Sequence, residues 1–217
     1  MKYKHIIWDW NGTLIDDRIF CIGIMNKVLS KRGMDLMTES WFLDNFCFPV
    51  KDYYIKLGFD FDKESFEITG SEFINEYMER LDEIALHTDA IETLRNVQRL
   101  GLTQSLLSAS SQIILDDSLK YHGINSFFIK ILGQDNHYAY GKEQTGKEWV
   151  KQLNFNSNEI ILIGDTLHDK EVADIIGADC ALVSIGHVSK ERLESTGAPV
   201  FNNLTESLNW ILNTSSN

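Results

Sequence analysis

Cysteine is scarce in this sequence, and its scarcity excludes two classes of small stabilised domain. The 217 residues contain three cysteines, Cys21, Cys47 and Cys180. They are odd in number, widely spaced and without a Cys-x-x-Cys pair, so the sequence predicts neither a disulfide framework nor a structural zinc site. Unpaired thiols of this kind are typical of the reducing cytosol, and we therefore expect a cytoplasmic protein.

The sequence also has few positively charged residues and no long apolar runs. Lysine and arginine total 20 against 32 aspartates and glutamates, which gives a net charge of −12. This excess of negative charge disfavours binding to nucleic acid or to an anionic membrane. No apolar run approaches the roughly 18 residues of a membrane span, and no leader-like segment opens the chain. An anionic substrate would need a local site of positive charge.

Short, continuous apolar runs alternate with helix-like segments along the chain. Runs that are continuous rather than alternating predict strands buried on both faces, as in a parallel sheet covered by helices. Two intervening segments, 91–101 and 170–178, have helical spacing and end at Gly101 and Gly177. The pattern predicts an α/β fold with a doubly wound, Rossmann-like, mainly parallel sheet. The runs are HIIW at the start of the chain, TQSLLSAS (103–110), FFIKILGQD (127–135), NEIILIGD (158–165) and DCALVSIG (179–186).

Residues 16–87 interrupt this alternation. They carry helix-like patterns at 20–33 and 71–85, with no convincing strand between them. The interruption predicts an inserted helical domain at 16–87. The α/β core would then comprise residues 1–15 and 88–217.

Polar side chains follow the predicted strands at the points where those strands end. Asp9 follows the first strand, Ser108 ends the second, and Asp165 and Asp169 follow the fourth in GDTLHD. Lys142 lies in the connection after the third strand. Since ligands of open α/β sheets bind at the carboxyl ends of the strands, these groups should converge. Carboxylates, a hydroxyl and an ammonium together suit magnesium-assisted phosphoryl transfer.

The spaced set DWNGTL, LLSAS, Lys142 and GDTLHD resembles the four motifs of the haloacid dehalogenase superfamily of hydrolases. The resemblance is to the branch with a helical cap after the first strand, such as phosphoglycolate phosphatases, and it covers nearly the whole chain. It implies a phosphatase that acts on a small phosphorylated metabolite with Mg²⁺ as cofactor. The insert would be the cap, which closes to exclude water and select the substrate.

The resemblance also implies roles for individual residues. Asp9 would be the nucleophile that forms an aspartyl-phosphate. Asp9 and Asp165 would bind Mg²⁺ through their side chains and Asn11 through its backbone carbonyl, while Asp169 would act through water or hold its neighbours. Lys142 would pair with the phosphate and with Asp9.

The remaining implied positions shape the phosphate pocket. Ser108 would donate a hydrogen bond to the phosphoryl group, with Ala109 beside it among the substrate-binding positions. Gly12 and Thr13 would shape the turn that lets the backbone approach the phosphate. In the insert, 45–54 is the predicted specificity loop, and Lys51 is the candidate partner for a distal anion of the substrate.

Several assignments have competitors in the sequence. Lys147 is closer than Lys142 to Asp165 along the sequence. It falls on a predicted helix, however, where lysines are usually exposed to solvent. Ser110 and Ser111 could cap the helix after the second strand. His168, inside GDTLHD, is a candidate for the substrate or metal site, and His137 and His187 also lie near expected strand ends. These histidines have no ligand spacing such as i, i+4 on one helix.

Asn11 departs from the pattern, because related phosphatases have a second aspartate there that protonates the leaving oxygen. An amide cannot exchange a proton near neutral pH. The departure leaves three readings open: a working but slowed or altered phosphatase, a phosphate- and Mg²⁺-binding regulatory protein, or a phosphonate- or haloacid-cleaving member of the superfamily. We favour the first, because all the charged groups of the site are present.

Overall fold

The computed structural model of the chain describes residues 1–135 and 142–214. In these residues six strands form one sheet in the order β3-β2-β1-β4-β5-β6, and every neighbouring pair is parallel. This confirms the predicted α/β class and its doubly wound parallel sheet. The strands are β1 His5–Trp8, β2 Thr103–Ser111, β3 Lys130–Gln134, β4 Ile160–Gly164, β5 Asp179–Val183 and β6 Val200–Phe201.

The α-helices of the described residues flank the sheet or form the insert. None of them combines the length and apolar character that a membrane crossing requires. They are α1 Arg18–Lys31, α2 Glu39–Asn45, α3 Val50–Lys56, α4 Phe66–Glu79, α5 Ala90–Arg99, α6 Gln112–His122, α7 Glu143–Val150, α8 Leu167–Ile176, α9 Lys190–Glu194 and α10 Leu204–Asn213.

The apolar runs are continuous because the central strands are covered on both faces. All residues of β1 and β4 are buried. Along β1, Ile6 and Trp8 join one hydrophobic cluster, while Ile7 joins a second cluster on the opposite face. Successive side chains of a strand point to opposite faces, so each face of β1 needs its own apolar residues.

The strand order places a crevice beside β1. From β1 the chain continues to β2 and β3 on one side of the sheet, and β4, β5 and β6 extend the other side. Strand order therefore reverses between β1 and β4, and the connections that leave their carboxyl ends diverge. Asp9 and Asp165, the residues directly after these two strands, stand at this crevice.

Helices α1 to α4 lie between β1 and α5, in the predicted insert. They have a hydrophobic cluster of their own, which includes Met25, Phe42, Tyr53 and Phe66. Helices α1 and α4 contact each other. The insert is thus helical, as the sequence indicates, while its division from the core at residues 16 and 87 stays a prediction.

Strand and helix boundaries differ from the sequence predictions at several points. The predicted strand at 127–135 is shorter, because residues 125–127 form a 3-10 turn before β3. The helix predicted at 71–85 begins earlier, at Phe66, and ends at Glu79. Strand β6 is not predicted. It has two residues and exists through its pairing with Leu182 and Val183 of β5.

Candidate active site

Asp9 is held at the carboxyl end of β1 by the backbone around it. Its N–H donates to the carbonyl of Ile163 on β4, at 2.9 Å. After it the chain makes a tight turn in which Thr13, Leu14 and Ile15 all donate backbone N–H groups to the carbonyl of Trp10. The carboxyl group of Asp9 is thereby delivered to the crevice, where the residue is 7% exposed.

Lys142, just before α7, is buried against two carboxylates. Its Nζ donates to Asp9 Oδ1, to Asp169 Oδ1 at 2.7 Å and to the carbonyl of Leu107 at 3.1 Å. Burial lowers the pKa of Lys142, but the negative charges of Asp169 and Asp9 outweigh this effect and raise the pKa above its ordinary value. The competing Lys147 is exposed on α7. The structure therefore brings Lys142 to the site and not Lys147.

The carboxylates of Asp9, Asp165 and Asp169 form one buried group, with oxygens within 4.8 Å of one another. Burial raises the pKa of Asp9 to about 7 against the lowering effect of Lys142. Burial likewise raises the pKa of Asp165 to about 6. Burial raises the pKa of Asp169, but the charge of Lys142 together with the hydrogen bonds from Lys142 and Thr166 brings it below its ordinary value. The cluster is thus short of positive charge around Asp9 and Asp165.

Asp169 is fixed in place by the start of α8. Its Oδ2 accepts from the backbone N–H of Thr166 at 2.9 Å and from the Thr166 hydroxyl at 2.7 Å. Thr166 and Asp169 thus form a capping box, the helix-start arrangement in which both residues satisfy each other's backbone N–H groups. Because Asp169 Oδ1 still binds Lys142, its capping role and its role in the site coexist.

The oxygen atoms of this cluster are suitable ligands for a hard divalent cation. Three carboxylates face one ammonium, and the Thr13 hydroxyl lies 3.1 Å from both Asp9 Oδ2 and Asp165 Oδ1. Oxygen ligands of this kind bind Mg²⁺, and the added positive charge would favour the ionised carboxylates. Gly12 leaves room for the Asp165 side chain, because a Cβ at position 12 would lie only 2.3 Å from Asp165 Oδ2. Gly12 has φ +75°, a conformation that favours glycine.

Asn11 is held by three partners that fix its orientation. Its Nδ2 donates to Asp17 Oδ2 at 2.6 Å and to the Tyr77 hydroxyl at 3.0 Å. Its Oδ1 accepts from the Ser110 hydroxyl at 2.6 Å. Tyr77 in turn donates to Asp17 Oδ2 at 3.0 Å. The amide is therefore a bridge between the ends of β1 and β2 and helix α4 of the insert.

Asp17 and His187 form a second buried charge pair beside the carboxylate cluster. His187 Nε2 lies 3.0 Å from Asp17 Oδ1, and the His187 backbone N–H donates to Asp165 Oδ2 at 2.6 Å. Burial lowers the pKa of His187, but the charges of Asp17 and Asp165 prevail and raise it to about 9. For Asp17, burial raises the pKa, but the charge of His187 together with hydrogen bonds from His187, Asn11 and Tyr77 lowers it below its ordinary value. The pair connects the insert to the core.

Asp17 and Tyr77 are absent from the sequence predictions. The one local signal for Asp17 is the carboxylate pair Asp16-Asp17 directly after the turn. Nothing near Tyr77 in the sequence indicates its role, because that role depends on contacts with residues 60 and 66 positions away. Their positions follow from the packing of the insert on the core.

Ser108 lies in the carboxyl-terminal half of β2, before its last residue Ser111, and is 1% exposed. Its Oγ accepts from the backbone N–H of Ser110 at 3.0 Å, so the hydroxyl keeps its proton for another partner. Ser110 binds Asn11 instead of capping α6, and Ser111 occupies the cap position without a side-chain hydrogen bond. Ala109 lines the same cavity as Ser108.

A cavity of about 160 Å³ lies between the insert and the carboxyl ends of the strands. On the core side it is lined by Asp9, Asn11, Ser108 and Lys142, among others. The structure does not bring Lys51 there: this lysine is exposed on α3, with its Nζ 5.4 Å from the centre of the Phe61 ring. The predicted loop 45–54 is largely helical, with Phe46 and Phe48 contributing to the cavity wall.

His168 lines the cavity without a direct hydrogen bond to the predicted catalytic groups among the described residues. Its ring stacks on Phe48, with ring centres 4.7 Å apart. Its Nδ1 lies 3.4 Å from Glu171 Oε2 and its Nε2 lies 3.7 Å from Glu143 Oε1. These contacts favour a role in shaping the cavity wall. His137 lies outside the described residues.

Gly186 is a further position that the carboxylate cluster requires. A Cβ there would lie 2.0 Å from Asp165 Oδ2 and 2.5 Å from the Gly12 carbonyl oxygen. We expect Gly186→Ala to displace Asp165 and to weaken metal binding and activity by about 10- to 100-fold, as for loss of a group that orients a metal ligand. Isothermal titration with Mg²⁺ and steady-state rates would measure both effects.

Gly23→Ala is the matched control for this prediction. Gly23 lies exposed within α1, and a Cβ there would meet nothing within 4 Å. The control should leave activity unchanged and raise stability by about 0.5–1 kcal/mol, since alanine favours the helix. Wild-type metal affinity in the Gly186→Ala protein would contradict the packing explanation.

Comparison with known proteins identifies relatives over most of the chain. A family model described as haloacid dehalogenase-like hydrolase matches residues 6–183. A 5'-nucleotidase of Pseudomonas aeruginosa is 22% identical over 203 residues, which cover 90% of this chain and 89% of that protein. A phosphoglycolate phosphatase of Vibrio vulnificus is 25% identical over 85 residues, which cover 39% of this chain and 37% of that protein.

Solved structures share the fold. A haloacid dehalogenase-like family hydrolase from Streptococcus pneumoniae superposes with a TM-score of 0.81 at 18% identity, over 97% of this chain and 99% of that one. A protein from Clostridium acetobutylicum described as a predicted phosphatase also gives a TM-score of 0.81, at 19% identity, over 98% and 100% of the two chains.

Proposed function

We propose that this chain, which belongs to the haloacid dehalogenase-like hydrolase family, hydrolyses small phosphate monoesters with Asp9 as the nucleophile. The buried group of Asp9, Lys142 and Asp169 at a cavity between the core and the insert carries the proposal. Such a group places a nucleophilic carboxylate beside a cation that can pair with phosphate. The phosphatase and nucleotidase names of the relatives support the reaction class.

The proposed reaction has two displacements at phosphorus. In the first, a carboxylate oxygen of Asp9 forms a bond to phosphorus while the bond to the ester oxygen breaks, and the departing oxygen takes a proton from solvent to become an alcohol. In the second, the oxygen of water bonds to phosphorus, the bond between phosphorus and Asp9 breaks, the water gives a proton back to solvent, and phosphate leaves. Lys142 and Ser108 would stabilise the charge on the phosphoryl oxygens. The net change is hydrolysis of the ester by one water molecule.

The proposed cofactor is Mg²⁺, held by the side chains of Asp9 and Asp165 and by the backbone carbonyl of Asn11. When bound, the cation would neutralise phosphoryl charge that Lys142 alone cannot balance. Asp169 would hold Lys142, and Gly12 would admit the phosphoryl group close to the backbone. The insert at 16–87 would act as the cap that excludes water from the aspartyl-phosphate.

The structure gives little support to phosphonate cleavage through a lysine of the insert. Among the described residues that line the cavity, the only lysine is Lys142, and it is paired with Asp9 and Asp169. A lysine that forms a Schiff base must be neutral and accessible to a carbonyl group. The raised pKa of Lys142 opposes that requirement.

Removal and return of the metal test the proposed function directly. Phosphate release from a panel of small phosphomonoesters should fall by at least about 100-fold in EDTA, since the metal supplies several kcal/mol of charge stabilisation. Added Mg²⁺ should restore it. A protein that binds Mg²⁺ but releases no phosphate from any ester would contradict the proposal and favour the regulatory reading.

An aspartate introduced at position 11 should have a pKa, and a catalytic effect, that depend on the neighbouring Asp17. Asn11→Asp places a carboxylate where the amide now lies 2.6 Å from Asp17 Oδ2, so one of the two acids should take a proton and have a raised pKa. We expect the double variant Asn11→Asp/Asp17→Asn, which removes this conflict, to hydrolyse an alkyl phosphate about tenfold or more faster than wild type.

The pH dependence of kcat separates the single variant from the double variant. In the single variant the acid should lose its proton at higher pH than in the double variant, because Asp17 repels the second charge. Identical pH profiles for the two proteins would show that Asp17 does not influence position 11.

A further inference from the structure

The insert presents an aromatic wall to the cavity. This wall comprises Phe42, Phe46, Phe48, Tyr53, Phe66 and Phe73. Tyr53 directs its hydroxyl to the sulfur of Met37, at 3.0 Å, and so offers mainly its ring. Aromatic walls favour flat apolar groups through contact area and ring packing. The part of the substrate that faces the insert should therefore be apolar.

Positive charge is absent from the insert side of the cavity, as far as the described residues extend. Of the described residues that line the cavity, Lys142 is the only lysine or arginine, and it is paired with Asp9 and Asp169. His187, which also lines the cavity, is paired with Asp17. Three cations of the insert, Lys27, Lys31 and Arg32, bind glutamates outside the cavity.

Among the described residues that line the cavity, a substrate with a second anion would meet no lysine or arginine that is free to pair with it. Burial of an unpaired carboxylate away from water is strongly unfavourable. Phosphoglycolate carries such a carboxylate, and with Lys51 exposed the described residues of the cavity offer it no unpaired lysine or arginine. The organic part of the substrate should therefore be uncharged.

The size of the cavity sets a limit on that organic part. Its volume is about 160 Å³. An apolar protein cavity of about 150 Å³ is sufficient to bind benzene. Because this volume also includes the space beside Asp9 and Lys142 for the phosphoryl group, the organic part can be no larger than about one ring.

Asn11 adds a condition on the bond that breaks. Its amide is held by Asp17, Tyr77 and Ser110 and cannot protonate the departing oxygen. A phenolate, whose conjugate acid has a pKa near 10 like that of tyrosine, needs this protonation far less than an alkoxide does. The amide and the aromatic wall thus favour the same kind of ester.

We infer that the preferred substrate is a small aryl phosphate, a phosphate monoester of a phenol that bears no second charge. The inference rests on the proposed function, because it specifies the substrate of that same site. Two properties define the class, the absence of a second anion and a phenolic departing oxygen. They rest on different residues and can be tested separately.

Four esters separate the two properties in one experiment with the 217-residue chain. Phenyl phosphate has both properties, 4-carboxyphenyl phosphate adds an anion, benzyl phosphate replaces the phenolic oxygen with an alkyl one, and phosphoglycolate lacks both properties. Values of kcat/KM would be measured with Mg²⁺, with Asp9→Asn as the blank. Phenyl phosphate should exceed 4-carboxyphenyl phosphate by at least about tenfold, because the carboxylate is buried without a partner. It should exceed benzyl phosphate by about 100-fold, because Asn11 supplies no proton.

Each other outcome overturns a specific statement. Equal rates for phenyl and 4-carboxyphenyl phosphate would refute the uncharged class, and equal rates for phenyl and benzyl phosphate would refute the phenolic requirement. Phosphoglycolate as the best ester would overturn both and leave the phosphatase proposal standing. No release above the Asp9→Asn blank from any ester would refute the proposed function itself.

Discussion

Asp9→Asn is expected to abolish phosphate release while leaving the fold intact. Loss of the nucleophile should lower kcat by at least about 10⁴-fold, because an amide oxygen does not form the proposed aspartyl-phosphate. The backbone that positions residue 9 does not involve its side chain. Lys142 keeps its bonds to Asp169 and to the Leu107 carbonyl. Single-turnover phosphate release would measure the loss.

Stability measurements supply the control for this variant. Burial raises the pKa of Asp9 from 3.8 to about 7, so the folded protein holds a proton on Asp9 more tightly than the unfolded chain does. The contribution of Asp9 to stability therefore decreases as pH rises from about 4 to about 7. The amide that replaces it in the variant does not titrate. In metal-free buffer, the stability of the variant relative to wild type should increase across this range.

Urea unfolding in EDTA at pH 5 and pH 8 would measure that difference. A variant less stable than wild type at pH 8 would show that the carboxylate is needed for folding, and its inactivity would then say nothing about catalysis. A stable variant with wild-type activity would exclude Asp9 as the nucleophile.

Much of the fold could be predicted because its strands carry a strong local pattern. Ile6, Ile7 and Trp8 form a continuous apolar run since both faces of β1 are covered, and the same holds for β4. Strand β6 could not be predicted, because Val200 and Phe201 form a strand only by pairing with β5. Pairing of two residues leaves no periodicity in the sequence.

The site likewise contains residues that could be predicted from local sequence and residues that could not. Asp9, Asp165 and Asp169 were predictable as neighbours, because parallel strands end at one edge of the sheet. The contacts of Asn11 could not be predicted, since Tyr77 reaches Asn11 and Asp17 from α4 of the insert. These contacts depend on how the insert packs on the core, and the spacing of residues in the sequence does not indicate that packing.

Lys142→Met is expected to have the second largest effect, on stability as well as on activity. Removal of the ammonium leaves Asp9 and Asp169 buried without their shared cation. Breaking a buried ion pair in this way typically costs about 3–5 kcal/mol. The rate of phosphate release should also fall by about 10²- to 10³-fold, because the proposed partner of the phosphoryl oxygens is lost.

The stability lost in Lys142→Met should depend on pH, and the direction of that dependence follows from the pKa values of Asp9 and Asp169. The charge of Lys142 lowers the pKa of both Asp9 and Asp169, so its loss should raise both values in the folded state. Carboxylates with raised pKa values favour folding at low pH and oppose it once they ionise. The stability deficit of the variant should therefore be small near pH 4 and grow toward pH 8.

Lys147→Met, on the exposed side of α7, is the matched control and should change stability by less than about 0.5 kcal/mol. The two variants remove the same charge from the chain and differ only in where it lay. If both reduced stability equally at pH 8, the loss of net positive charge would explain the result. A deficit confined to Lys142→Met and increasing with pH would instead assign the effect to the buried carboxylates, which only one of the two lysines contacts.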